Sequence, residues 1–162
     1  MVEKAGELAG CRILEPSAGT GNLIRAAVNN ATGFDCCRIV AVEKNLSCVS
    51  ILQQLRQSFL YANEENFQVV DGDFLEQNGN LGTFHKILMN PPFERGSDIT
   101  HILHARKFLK PGGRLVAICA NGPRQNETLK PLADSWEPLP EGTFSEQGTH
   151  VRTVMLTMSP EA

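Results

Sequence analysis

Short apolar runs, each halted by a polar, glycine or proline corner and separated by stretches of helical period, constrain this chain more than any other feature. Cys11 to Leu14 leads into Glu15-Pro16-Ser17-Ala18-Gly19-Thr20-Gly21 and then a helix predicted from about Asn22 to Asn29. Arg38 to Val42 ends at Glu43, after which Cys48, Ile51, Leu52, Leu55 and Phe59 fall on one expected helical face. Phe67 to Val70 stops at Asp71-Gly72-Asp73. Phe84 to Met89 stops at Asn90-Pro91-Pro92-Phe93, where two prolines cannot continue a ladder. Ile99, Ile102, Leu103 and Leu109 mark a further helix, with Asp98 as its expected cap and Lys110-Pro111-Gly112-Gly113 as its stop, before a strand over Leu115 to Cys119. This is the βαβ rhythm of an α/β protein with a Rossmann-like doubly wound, mostly parallel sheet. Beyond it the pattern predicts a short helix around Glu127 to Ala133 and a last strand over Val151 to Met158, antiparallel at the sheet edge.

A length of 162 residues suits one domain, and no linker, repeat or low-complexity tract divides the chain. We expect a single domain over 1–162 without a separate target-recognition domain. Five cysteines, an odd number lacking C-x-x-C spacing, do not make a disulfide framework and fit a reducing, cytoplasmic setting. The longest apolar stretch, Leu115 to Ala120, falls far short of the roughly 20 residues of a membrane helix, so no membrane partner is expected. Fifteen basic against eighteen acidic residues give a net charge of −3 and no global positive field to draw the chain onto a polyanion. If it acts on nucleic acid, a partner or flanking segment must help to dock it.

In an open parallel sheet, ligands sit outside the carboxyl ends of the strands, and every corner named above lies on that rim. Gly19-Thr20-Gly21 supplies backbone that can turn sharply and lie against a ligand. A dinucleotide fingerprint wants a small residue three positions after its second glycine, whereas this chain has Ile24, which favours a cofactor with no pyrophosphate to seat. Glu43 is placed to accept two ribose hydroxyls, or is an ordinary solvated acid. Asp73 and Phe74 offer an acceptor for an adenine amino group beside a ring for its face, or are a turn aspartate and a core phenylalanine.

Asn90-Pro91-Pro92-Phe93 is the most informative corner. Proline fixes its own φ and pushes the preceding residue into extended backbone, so the carbonyls of Asn90 and Pro91 point in set directions. An amino group conjugated to a base is a poor nucleophile, and accepting its two N–H protons helps to localise its lone pair. The Asn90 side-chain oxygen and the Pro91 carbonyl suit that task, and Phe93 suits stacking on a planar substrate. Glu43, Asp73 and Asn90 are expected around one cavity.

These motifs, in this order from about Ile13 to Leu156, resemble the class I S-adenosylmethionine-dependent methyltransferases, in particular those with an Asn-Pro-Pro-aromatic motif that methylate planar amino nitrogens. The resemblance implies a seven-stranded sheet with an antiparallel last strand. It also implies that Glu15, Ala18, Gly19 and Gly21 line the methionine part of S-adenosyl-L-methionine, that Glu43 holds the ribose, and that Asp73 and Phe74 hold the adenine. Asn90, Pro91, Pro92 and Phe93 would be the catalytic clamp on the amino group. The wording Glu-Pro-Ser-Ala-Gly-Thr-Gly and Asp-Phe-Leu is most like bacterial and phage DNA adenine N6-methyltransferases. Guanine N2 or adenine N6 of ribosomal RNA and a protein glutamine amide are the rival substrates. Only ten residues precede the first predicted strand, so the upstream motif that completes the methionine pocket in many such enzymes is expected to be missing or short. That brevity and the acidic balance leave room for a cofactor-binding subunit without activity of its own.

His101 and His104 stand at i, i+3 spacing with no evident third ligand, so no metal is expected. His85 and His150 read as strand-edge residues. Arg95, Arg106, Lys107, Lys110 and Arg124 are either phosphate contacts bordering the active rim or ordinary surface charge.

Overall fold

The computed structural model describes residues 1–31, 37–59, 62–143 and 151–161. In chain order the strands are β1 (Arg12–Glu15), β2 (Arg38–Glu43), β3 (Phe67–Asp71), β4 (Phe84–Met89), β5 (Leu109–Ala120), β6 (Ser135–Pro138) and β7 (Thr153–Met158). The helices are α1 (Val2–Ala5), α2 (Asn22–Asn30), α3 (Leu46–Ser58), α4 (Ser97–Arg106) and α5 (Pro123–Thr128). The strands form one seven-stranded sheet in the order β3-β2-β1-β4-β5-β7-β6, parallel from β3 to β5 and antiparallel for β7 and β6. The winding reverses between β1 and β4, which is where such sheets bind ligands.

Alternation along the central strands sorts their side chains onto two faces. Ile13, Ile39, Leu88 and Val116 pack on one side with Ile24 of α2 and Leu52 of α3. Leu14, Val40, Ile87 and Leu115 pack on the other with Ile102 of α4. The sheet is thus sandwiched between helical layers, and its central strands carry consecutive apolar residues, Ile13-Leu14, Ile39 to Val42, Ile87 to Met89 and Leu115 to Ala120, because both faces are covered there.

Several sequence expectations are corrected. The buried face of α3 is Val49, Leu52 and Leu55, and Ile51 faces solvent. Asp98 does not cap α4, whose first turn opens from Gly96 in the left-handed region, and is instead a fully buried carboxylate. It accepts the Ala120 N–H at 2.9 Å and the Gln125 side-chain amide at 3.0 Å, tying α4 to the end of β5 and to α5. Lys110-Pro111-Gly112-Gly113 does not stop the helix, which ends at Arg106; it lies inside β5, where the pairing with β4 slips between Phe84 and Lys86. A Cβ on Gly113 would lie 2.8 Å from the Lys110 carbonyl and 3.1 Å from that of Phe84, so the irregularity needs glycine there. The short helix begins earlier than expected, at Pro123, and β7 is flanked by β5 and β6, so β6 and not β7 forms the edge. His85 belongs to an interior strand and not an edge, and His150 lies outside the described residues. No helix among the described residues is long and apolar enough to cross a membrane.

Candidate active site

The first two strand ends are locked together by backbone. Beyond Glu15 the chain turns so that the Ala18 N–H donates to the Val42 carbonyl at 3.1 Å and the Gly19 N–H donates to Glu43 Oε2 at 2.7 Å. Gly21 starts α2 at φ 85°, and a Cβ there would lie 2.6 Å from Leu55 Cδ2 and 3.0 Å from Leu52 Cδ2. Only glycine combines that conformation with the close approach of α2 to α3. The other oxygen of Glu43 accepts the Asn45 N–H at 2.8 Å. Each carboxylate oxygen retains acceptor capacity for one further donor, and the side chain is fixed in direction.

Two buried oxygens flank the reversal point of the winding. Glu15, 4% exposed at the end of β1, accepts a hydrogen bond from the Ile24 backbone with one oxygen. Its Oε2 finds no hydrogen-bond partner among the described residues, and neither does Oδ1 of Asn90, just past β4. Burial first, and then the nearby Glu43 carboxylate, push the Glu15 carboxyl well above the usual glutamate range. Glu15 and Asn90 line one cavity of about 530 Å³ together with Ser17, Ala18 and Gly19. Buried acceptors without donors are rare, because each forfeits a hydrogen bond it had in water. Both oxygens belong to residues that line the larger cavity, so each is an acceptor still owed a donor at its margin.

A second cavity of about 170 Å³ lies beside the first, lined by Ser17, Glu43, Asp73, Phe74, Pro92 and His101. Asp73 Oδ1 accepts the Leu75 N–H at 2.9 Å, and Lys44 approaches its Oδ2 at 3.4 Å. The backbone bond, then the Lys44 charge, outweigh partial burial and hold its carboxyl below the usual aspartate range. Phe74 lines this cavity but is only 3% exposed, with its ring packed edge-on to His104 at 4.9 Å and against Phe108 at 5.6 Å. It therefore forms a wall more than a free stacking face. The three residues expected around one cavity do not share one: Glu43 and Asp73 line the smaller cavity and Asn90 the larger, and the two cavities have Ser17 in common.

The proline corner spans both lobes. Asn90 lines the larger, Pro91 is buried, and Pro92 lines the smaller. Phe93 is half-buried and lines neither. Immediately after it, Arg95 adopts φ 53°, which costs a non-glycine residue energy, and Gly96 adopts φ 80°. This pair of left-handed residues turns the chain into α4. Of the five basic residues considered for the rim, Arg95 stands in this corner and the Arg124 guanidinium reaches the space beside Gly96. Arg106 is tied to the carbonyls of Ser159 and Pro160, and Lys110 lies at the opposite end of the sheet against His85.

Sequence reasoning missed Ser17 and His101 as lining residues. Ser17 lies inside the glycine-turn motif and was available to it. His101 carried only a helical position; its Nδ1 meets the Ser97 carbonyl at 2.8 Å, and His104 Nε2 meets the Gln77 carbonyl at 3.0 Å, so the two imidazoles are engaged separately. Among the described residues no group of three His, Cys, Asp or Glu side chains is arranged to hold a metal.

A family model described as "Methyltransferase small domain" matches residues 3–141. Comparison with curated proteins found no match. Among solved structures, the type I restriction-modification system methyltransferase subunit from Streptococcus thermophilus is similar over 100% of this chain and 43% of its own, at 17% identity and a TM-score of 0.79. TrmN from Thermus thermophilus is similar over 99% of this chain and 47% of its own, at 16% identity and a TM-score of 0.76. The 16S rRNA N2 methyltransferase of T. thermophilus, solved with AdoMet and guanosine, is similar over 98% of this chain and 40% of its own, at 22% identity and a TM-score of 0.67. This chain therefore spans less than half the length of each of these three.

Proposed function

Because the chain belongs to the methyltransferase small domain family, we propose that its two strand-end lobes bind S-adenosylmethionine beside a clamp for the exocyclic amino nitrogen of a nucleic-acid base. The fold is the Rossmann-like methyltransferase fold, and the cofactor of this enzyme class is S-adenosylmethionine. The observation that carries the reading is the pair of unpartnered buried oxygens, Glu15 Oε2 and Asn90 Oδ1, on two residues that line one cavity. One fits the cofactor's ammonium group and the other fits the substrate's amino group.

In this reading Glu15, Ala18, Gly19 and Gly21 hold the methionine part, Glu43 accepts from the ribose, and Asp73 accepts from the adenine with Phe74 as a wall. When bound, S-adenosylmethionine supplies a methyl group already activated by its sulfonium. Asn90 Oδ1 and the Pro91 carbonyl accept the two amino protons and concentrate the lone pair on nitrogen. Pro92 stiffens the corner, and Phe93 covers the flat face of the base. Orientation of this kind supplies much of the rate, since the reacting atoms are held in line. The surplus proton leaves to water after transfer, so no side chain is assigned as general base.

Adenine N6 in DNA is the first substrate, from the wording of the glycine-turn and Asp-Phe-Leu motifs. A base inside a duplex must flip out at a cost of a few kcal/mol, which favours single strands or a partner subunit or flanking segment that binds the target. Guanine N2 in RNA is the second reading, favoured by the similarity to the 16S rRNA N2 methyltransferase. The test is radiolabelled methyl transfer to separate pools of DNA, RNA and protein, with digestion to identify the labelled base. Label on N6-methyladenine in DNA supports the first reading, and label on N2-methylguanine in RNA supports the second. Label confined to protein, or none while the cofactor binds, overturns both.

A further inference from the structure

At the end of the sheet opposite the active rim, a cavity of about 500 Å³ is lined by Arg12, Arg38, His85, Lys110, Glu65 and Asn66 among others. Nothing in the methyl-transfer reading uses it. Three of these residues are cationic, and Glu65 is the one carboxylate among the residues lining it. The Arg12 guanidinium is anchored by the Thr83 carbonyl at 3.0 Å and lies 4.2 Å over the Phe84 ring. Its charge is disfavoured by burial and by the neighbouring Arg38.

The hydrogen-bonding of His85 identifies what is missing. The Arg12 backbone N–H donates to His85 Nδ1 at 2.9 Å, so Nδ1 carries no proton and Nε2 must carry one. Burial and the surrounding Lys110, Lys86 and Arg12 charges favour that neutral form. Yet the Lys110 Nζ stands 3.2 Å from Nε2. An ammonium has only donors, so an N–H and an ammonium face each other with no acceptor between them among the described residues. The slipped stretch of β5 that Gly113 permits presses Lys110 into this position. Two converging donors, with Arg12 and Arg38 lining the same cavity, suit an anion whose oxygen bridges them.

We propose that this cavity binds a phosphate group, held by the Nε2–H of His85 and the Lys110 ammonium and neutralised by Arg12 and Arg38. The phosphate belongs either to a free nucleotide or to the backbone of a nucleic acid that reaches past the sheet. The site stands independently of the methyl-transfer reading, because none of its residues lines the active rim.

The experiment follows the ¹⁵N-histidine resonances of the whole chain during titration with three probes: inorganic phosphate, adenosine 5′-monophosphate and a short single-stranded DNA. In the free protein His85 is expected as the Nε2–H tautomer, and binding should shift that resonance. A nucleotide that binds more tightly than phosphate, with no tighter binding of the DNA, assigns a free nucleotide. Tighter DNA binding with steep salt dependence assigns a nucleic-acid backbone. In either case Lys110→Gln should weaken binding about tenfold, and Lys130→Gln, the same charge change on an exposed surface, should leave it unaltered. The proposal is overturned if His85 carries its proton on Nδ1, if no probe shifts the Nε2 resonance, or if the two lysine variants behave alike.

Discussion

The Gly19 backbone N–H donates to Glu43 Oε2 at 2.7 Å, so the glycine turn after β1 is held by the acid that ends β2. Glu43 thus fixes Gly19, which lines the larger cavity, while itself lining the smaller. Glu43→Ala removes the acceptor for Gly19 and Asn45 as well as the one proposed for the ribose. Hydrogen bonds to a charged group are each worth about 1.5–3 kcal/mol. S-adenosylmethionine affinity is therefore expected to fall by about ten- to a hundredfold, which calorimetry reads directly. Affinity equal to that of the unaltered chain would remove Glu43 from the cofactor site.

Glu15 gives the molecule a pH signature. Its carboxyl titrates well above the usual range when folded, so the folded chain still holds a proton that the unfolded chain has released. Stability of the ligand-free protein should fall as pH rises from the ordinary glutamate range to the raised value, and level off beyond it. Melting curves between about pH 5 and pH 9 should show this slope, and Glu15→Gln should flatten it. Cofactor binding through an ammonium group favours the ionised form, so it should release a proton, visible as a binding heat that varies with the buffer. A slope unchanged in Glu15→Gln would assign the titration elsewhere.

Asp98, fully buried, accepts from Ala120 and Gln125 at the junction of α4, β5 and α5. Asp98→Ala leaves both donors without an acceptor in a dry environment. The expected loss is about 2–5 kcal/mol of stability, measurable by urea unfolding. A loss below about 1 kcal/mol would show that the junction relaxes or admits water.

The sheet was legible because its corners are spelled in residues with few conformational options. Glu15 to Gly21, Asp71 to Asp73 and Asn90 to Phe93 each end a strand where glycine or proline dictates the backbone, and the strands leading into them are short and rich in apolar residues. Position near the rim was legible too, since Glu15, Glu43, Asp73 and Asn90 all fall there. What escaped depends on contacts distant in sequence. Asp98 reads as a cap because its position before an apolar helix suits one, and only the approach of Ala120 and Gln125 makes it a buried acceptor. Lys110 reads as helix punctuation because Pro-Gly-Gly follows it, whereas the slip against β4 carries it to His85. The division of the rim into two cavities, with Glu43 and Asp73 on one and Asn90 on the other, depends on how the corners approach in space, which no spacing announces.

The central claim is that Asn90 grips the amino group while other residues hold the methyl donor. The direct measurement is the single-turnover rate of methyl transfer at saturating S-adenosylmethionine, for the unaltered chain and for Asn90→Ala, on the nucleic acid that the pooled assay labels. A polar group aimed at the reacting atoms contributes about a hundredfold or more to rate. The account predicts a loss of that size with cofactor affinity unchanged. Equal rates in the two proteins would contradict it.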